Sequence, residues 1–144
     1  MDDAALACLQ VVASESRQRI LGLLDKGVDH PEDLAGKLKM RRQGVDKQLL
    51  ELYDWGRVDR SAVFSATGRP RIVYRLSERG RDLVGKLDTL VREYHEGMRA
   101  DGQRTLAMLA DKLAAGDLDE DAYLKQRATI EKRYGRFLGG SGTG

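Results

Sequence analysis

The hydrophobic pattern of this chain changes its period as it goes, and each change marks a new kind of element. Residues 4–12, "AALACLQVV", are short and almost wholly apolar and predict a first helix. Ser14 stands where an N-cap belongs, ahead of a second helix over about 15–25 with Ile20, Leu21, Leu23 and Leu24 turned inward. Gly27 suits its end, because glycine tolerates the left-handed conformation that follows a helix. In "DHPEDLAGKL", Pro31 fits the first helical position, with Asp29 or His30 as cap and Glu32 and Asp33 facing the positive end of the helix dipole. Leu34, Ala35 and Leu38 give this short helix one apolar face. A turn at 39–41 sends Met40 inward. The next helix, about 42–54, carries Val45, Leu49 and Leu52 as a buried stripe.

After Gly56 the period falls from 3.6 to 2. "RVDRSAVF" and "RIVYRL" read as strands, with "SATGRP" placing glycine and proline at a hairpin tip. Ser77 then caps a long helix. Its positions Leu83, Leu87, Leu90, Val91, Tyr94 and Met98 approximate a heptad seam, read here as a homodimer interface. Asp101-Gly102 signals a break, either a kink or a stop, before a further helix over about 103–115. "AGDLD" turns the chain into a last helix, with Leu118, Tyr123, Leu124, Ile130 and Phe137 as its contacts. The glycine-rich end "GGSGTG" is a flexible tail. The expected division is therefore a winged helix-turn-helix over 1–77, a helical dimerisation or interaction region over 78–138 and a tail over 139–144. The fold class is mainly α with a small β-hairpin wing.

A hydrophobic content of 41% and a charged content of 33% suit a globular chain, not a disordered one. No apolar run approaches the roughly 18 residues of a membrane span. The acidic start "MDDAALACLQ" has no basic region ahead of an apolar core, so no secretory signal is expected. One cysteine allows no internal disulfide. A cytoplasmic, nucleoid-associated protein is the expectation. The net charge of +2 announces no particular partner, but residues 39–75 hold nine Lys or Arg and four acids, leaving the flanks acidic. A basic middle of this kind attracts phosphate.

That middle contains "RRQGVDKQLLELYDWGRV", a helix with a cationic, amide-bearing first turn and an apolar second half. A helix entering the major groove needs this asymmetry. Its N-terminal turn meets base edges and phosphates, while its far half must lock into a core. Arg41, Arg42, Gln43, Gly44 and Lys47 fit the first role, and Leu49 and Leu52 the second. Gln48, expected on the exposed side, has the amide that pairs with adenine. Asp46 either accepts from cytosine or salt-bridges Arg42, and the salt bridge is favoured because a carboxylate near phosphates costs energy. Arg69 and Arg71 flank Pro70 at the hairpin tip, where an arginine can enter a narrow minor groove. Arg60 and Arg75 lie nearer the strands.

Other chemistry is thin. Cys8 reads as a structural thiol, His30 and His95 are isolated, and Tyr53 and Trp55 read as packing residues. Asp88, Glu93, Glu96 and Asp101 read as solvated acids. No phosphate loop, nucleophile motif or metal-ligand spacing occurs, so no catalytic residue, metal or cofactor is assigned and an enzyme is not expected.

"ASESRQRILGLL", "LAGKLKMRRQGVDKQLLELYDWGRV" and "GRPRIVYRLSERG" resemble, in order and spacing, the early helix, helix-turn-helix and wing of ArsR-like transcriptional regulators, over residues 6–90. MarR-like and PadR-like regulators share much of this pattern. The resemblance implies a dimeric, sequence-specific regulator of double-stranded DNA, without the cysteine pair through which many ArsR-like proteins sense metals or redox state. "LADKLAAGDLDEDAYLKQRATI" resembles the short helical modules called SHOCT, which implies a second surface for a protein partner. A winged helix used for protein contact and a nucleoid-type architectural DNA binder are the competing expectations.

Overall fold

The structure, a computed structural model, describes residues 1–139. Four helices come first, α1 (Asp3–Val12), α2 (Glu15–Asp25), α3 (Pro31–Leu38) and α4 (Arg42–Asp54). An antiparallel pair follows, β1 (Val58–Phe64) and β2 (Pro70–Leu76), and then α5 (Glu78–Ala114) and α6 (Glu120–Leu138). The fold is mainly helical with one hairpin and one long helix, as the periodicity required. The chain divides into two compact units, Met1–Lys86 and Leu87–Gly144. The tail expected at 139–144 lies, from residue 140 on, outside the described residues.

In the first unit the stripes named from the sequence meet in one core. Ile20, Leu21 and Leu24 of α2, Leu34 and Leu38 of α3, and Val45, Leu49 and Leu52 of α4 are buried together with Val58, Val73 and Tyr74 of the hairpin. Each such side chain withdrawn from water contributes about 1.5–3 kcal/mol. Leu23, expected inward, is only half-buried. Between the caps left open for α3, His30 is the one used, its Nδ1 accepting from the Glu32 N–H at 3.2 Å. The helix-turn-helix joint closes on Lys39, which holds the left-handed conformation (φ 54°) without being glycine. The hairpin pairs Val58 with Leu76 at its root and Phe64 with Pro70 at its tip. The Tyr74 N–H donates to the Asp29 carbonyl at 2.9 Å and pins that root to the loop between α2 and α3.

The first turns of α5 are fastened to the winged unit. The Ser77 hydroxyl donates to the Gly56 carbonyl at 2.6 Å and accepts from the Gly80 N–H at 2.9 Å. A Cβ at Gly80 would overlap the Arg57 carbonyl, so only glycine permits this approach. Arg81 adds an ion pair to Asp25.

In the second unit α5 runs through Asp101 and Gly102 to Ala114, so the helix does not stop there. The glycine serves packing instead. A Cβ at Gly102 would lie 2.9 Å from the Tyr134 Cβ and 3.1 Å from Leu138. The helices touch there, with Leu109 buried nearby in the same unit. Gly116 turns the chain in a left-handed conformation, and the Asp119 side chain caps α6 by accepting from the Ala122 N–H at 2.7 Å. The returning helix brings Phe137 edge-on to Tyr94 and His95, at 6.1 and 5.1 Å between ring centres, while Arg99 donates to the Phe137 carbonyl at 2.9 Å. His95 is exposed, with the Tyr94 and Phe137 rings as neighbours. Leu124, expected as a contact, is exposed.

Candidate nucleic-acid interface

The N-terminus of α4 differs chemically from that of every other helix. Side chains of Asp2, Ser14, His30, Ser77 and Asp119 accept from the first-turn N–H groups of α1, α2, α3, α5 and α6. At α4 the N-cap is Arg41, with no side-chain cap and no acid in the first turn. A helix begins with unpaired N–H groups and partial positive charge. Placing Arg41 and Arg42 there opposes the stability of the isolated helix and creates a strong pull on an anion.

The first-turn residues divide into committed and uncommitted groups. Arg41, Gln43 and Lys47 are exposed, and Arg41 and Lys47 meet no carboxylate within salt-bridge distance among the described residues. Gly44 is half-buried, and a Cβ there would touch the Met40 side chain at 3.7 Å. Arg42 is held by Asp46 at 3.1 Å and by Glu32 at 3.5 Å. The salt bridge favoured for Asp46 is thus present, joined by a second carboxylate from α3. Both pairs are exposed and worth at most about 1 kcal/mol each, so a phosphate can displace them.

Gln48 does not sit on the exposed side. It is half-buried, and its Oε1 accepts from Arg17 Nη1 at 3.0 Å. Arg17 also reaches Glu51 at 3.3 Å and donates to the Gln10 and Val11 carbonyls at the end of α1. One guanidinium therefore joins three helices and sets the orientation of α4. Nothing local in "SRQRI" marks Arg17 for this role, since its partners lie up to 34 residues away.

The wing carries Arg69 in its tip and Arg71 as the second residue of β2, both exposed. The Ser65 N–H donates to the Arg69 carbonyl at 3.1 Å and Gly68 takes a left-handed conformation, which closes the five-residue tip between the strands. Phe64 beside it is 70% exposed. Between wing and α4 lies an open cleft lined by Pro31, Arg42, Asp46, Arg60, Ile72 and Tyr74. Arg60 stacks on the Tyr53 ring at 4.4 Å, so Tyr53 presents its face to a cation at the surface rather than filling the core. Trp55 is likewise 41% exposed. Arg57, one of the nine cations in the basic segment, is withdrawn into the fold. It donates to the Trp55 carbonyl at 3.2 Å and to Cys8, and its buried Nε has no partner. Cys8 is half-buried against it. No group of three or more potential metal-ligating side chains occurs among the described residues.

The packed helices α2, α3 and α4, the cationic start of α4 and the basic hairpin make a winged-helix fold. Solved structures agree. The diamide-treated YodB from B. subtilis is similar over 64% of this chain and 90% of its own, at TM-score 0.57 and 16% identity. The protein ytcD, described as an HTH-type transcriptional regulator, is similar over 67% of this chain and 97% of its own, at TM-score 0.53 and 26% identity. The cadmium metal-sensor CMTR from Mycobacterium tuberculosis overlaps 59% of this chain and 85% of its own at 30% identity, but its TM-score of 0.44 is too low to carry an argument. No family model and no curated protein sequence matches this chain. At the coarse level the similarity to ytcD supports DNA-binding transcriptional regulation. No described helix is long and apolar enough to cross a membrane.

Proposed function

We propose that this chain is a dimeric, sequence-specific regulator of double-stranded DNA, ArsR-like in its winged helix, acting in the cytoplasm at the nucleoid. The observation that carries this reading is the uncapped, cationic start of α4. A phosphate there satisfies N–H groups the protein leaves open and neutralises Arg41, Arg42 and Lys47. Gln43 and Gly44, on the same turn, are slim enough to meet base edges in the major groove. Arg69 and Arg71 reach the flanking minor groove from the wing. Gln48 acts one step back, as a strut with Arg17 that fixes the helix orientation. The SHOCT-like hairpin of α5 and α6 is a second surface, open to a protein partner.

The test is selection from sheared genomic DNA, then anisotropy titration of the enriched duplex and of a scrambled one. Preference of at least about tenfold for the enriched duplex supports the reading, since specific sites exceed non-specific ones by far more than that. The triple variant Arg41→Ala, Arg42→Ala, Lys47→Ala is expected to lose duplex binding while its melting temperature stays near that of the parent, because the lost ion pairs are exposed. Retained affinity in that variant removes α4 as the recognition helix. Equal binding to both duplexes by the parent would instead mark an architectural DNA binder, and none at low salt a protein-contact module.

A further inference from the structure

Of the Phe, Tyr and Trp side chains among the described residues, Phe64 is the most exposed, at 70%, and it stands at the tip of the wing. The ladder sets it opposite Pro70, with Ala62 opposite Ile72 and Arg60 opposite Tyr74. Partners across an antiparallel ladder share a face, and alternate residues along a strand share it too. One face of the wing therefore carries Phe64, Pro70, Ile72 and Arg60, and the other carries Val63 and Arg71. Arg60, Ile72 and Tyr74 line the cleft against Arg42 and Asp46, so the first face is the one turned toward α4. Phe64 is its outermost ring. No core asks for a ring there, since every residue from Asp59 to Ile72 is exposed.

The charge around this ring selects what can cover it. Residues 60–77 hold four arginines and no acid. A second copy of the wing would set arginine against arginine. A DNA duplex offers phosphates to the cations and the faces of its bases to the ring. The ladder beyond the Arg60–Tyr74 pair projects by about 13 Å, at roughly 3.3 Å per residue, which exceeds the minor groove's depth of about 7.5 Å. That groove is only about 6 Å wide, so it admits side chains and not the ribbon. A ring that enters it is buried by sliding between base pairs, which opens the groove and bends the duplex.

We propose that Phe64, backed by Pro70, is a wedge that inserts into a minor-groove base step beside the site held by α4 and bends the duplex. The inference rests on the DNA-binding reading above and adds to it an apolar source of sequence preference, separate from the wing arginines. Pyrimidine–purine steps unstack most easily, so the wing favours such a step without reading any base edge. The tip holds the ring in place. The Ser65 N–H donates to the Arg69 carbonyl at 3.1 Å, the Gly68 N–H to the Ser65 carbonyl at 2.9 Å, and the Ser65 and Thr67 hydroxyls bond at 2.7 Å.

The test uses the full chain and the duplex enriched by selection, carrying a fluorescence donor and acceptor at its two ends. The parent is expected to bend that duplex by at least about 20°. Phe64→Ala is expected to leave it straight and to bind it about 5- to 100-fold more weakly, the loss of one stacked ring. Its log–log salt slope stays that of the parent, because no phosphate contact is removed. Its melting temperature also stays, because the ring is exposed. Phe64→Leu keeps an apolar wedge and recovers most of the bend. 2-Aminopurine placed at successive positions brightens where the ring unstacks a base. Exchanging that step for a stiff A-tract weakens the parent at least about fivefold and Phe64→Ala less than about twofold. A straight duplex in the parent complex, or a Phe64→Ala protein that bends and binds as the parent does, overturns the wedge while leaving DNA binding in place. A weaker Phe64→Ala protein with a smaller salt slope also overturns it, since the ring would then only hold the arginines. No duplex binding by the parent at low salt overturns the wedge and the DNA-binding reading together.

Discussion

Single glycines in α5 carry opposite meanings that composition hides. Gly85 has open space where a side chain would go, whereas Gly102 lies against Tyr134. Gly85→Ala is therefore expected to stabilise the chain by about 0.5–1 kcal/mol through helix propensity. Gly102→Ala gains the same propensity but forces two packed helices apart, at about 1–3 kcal/mol. Thermal melts of the two variants should move in opposite directions. A Gly102→Ala protein as stable as Gly85→Ala would mean that the close approach of α5 and α6 is wrong. Sequence reading treated Gly102 as punctuation because a glycine's neighbours across space are invisible in one dimension. The same blindness hid Arg17 and left Arg57 as one cation among nine in the basic segment, although its guanidinium lies inside the winged unit against Cys8.

Among elements, α4 was the most legible and the most informative. Its apolar stripe alone required Val45, Leu49 and Leu52 to be buried, and all three are. Its uncapped cationic start is a local sacrifice of stability. Arg41→Asp would supply both the missing N-cap and a favourable charge for the dipole, worth about 0.5–2 kcal/mol. We expect that variant to melt higher than the parent and to bind duplex at least about tenfold more weakly, since it places a carboxylate where the proposed interface calls for a phosphate contact. A variant that melts higher and binds equally well would separate the cap from recognition. The wing was legible too, because alternation and a tip holding Gly68 and Pro70 specify a hairpin wherever they fall. The placement of Gln48 was not, since half a turn decides whether a residue faces solvent or a neighbouring helix, and here α2 supplies Arg17.

At the scale of the whole molecule the charge is uneven rather than large. The chain carries only +2, yet its exposed cations at α4 and the wing number enough to engage several phosphates. Binding to the selected duplex should fall with salt at a log–log slope of about −0.9 per phosphate contact, so roughly −7 to −9 for a dimer using four or five cations per chain. Arg69→Ala with Arg71→Ala is expected to reduce that slope by about 4 in the dimer. A slope unchanged by the double substitution would remove the wing from the interface.

Periodicity by itself determined the order of helices and strands, the core stripes and the cationic turn, because each depends on residues within a few positions of one another. Only the tertiary structure decided which arginines stay at the surface, which helix N-terminus stays uncapped, that α5 continues through Asp101-Gly102 and that the unit boundary falls at Lys86–Leu87. Those outcomes depend on groups brought together from distant parts of the chain, such as Arg57 with Cys8, Arg17 with Gln48, Gly80 with Arg57 and Gly102 with Tyr134. The energy that fixes them resides in contacts no window along the sequence contains.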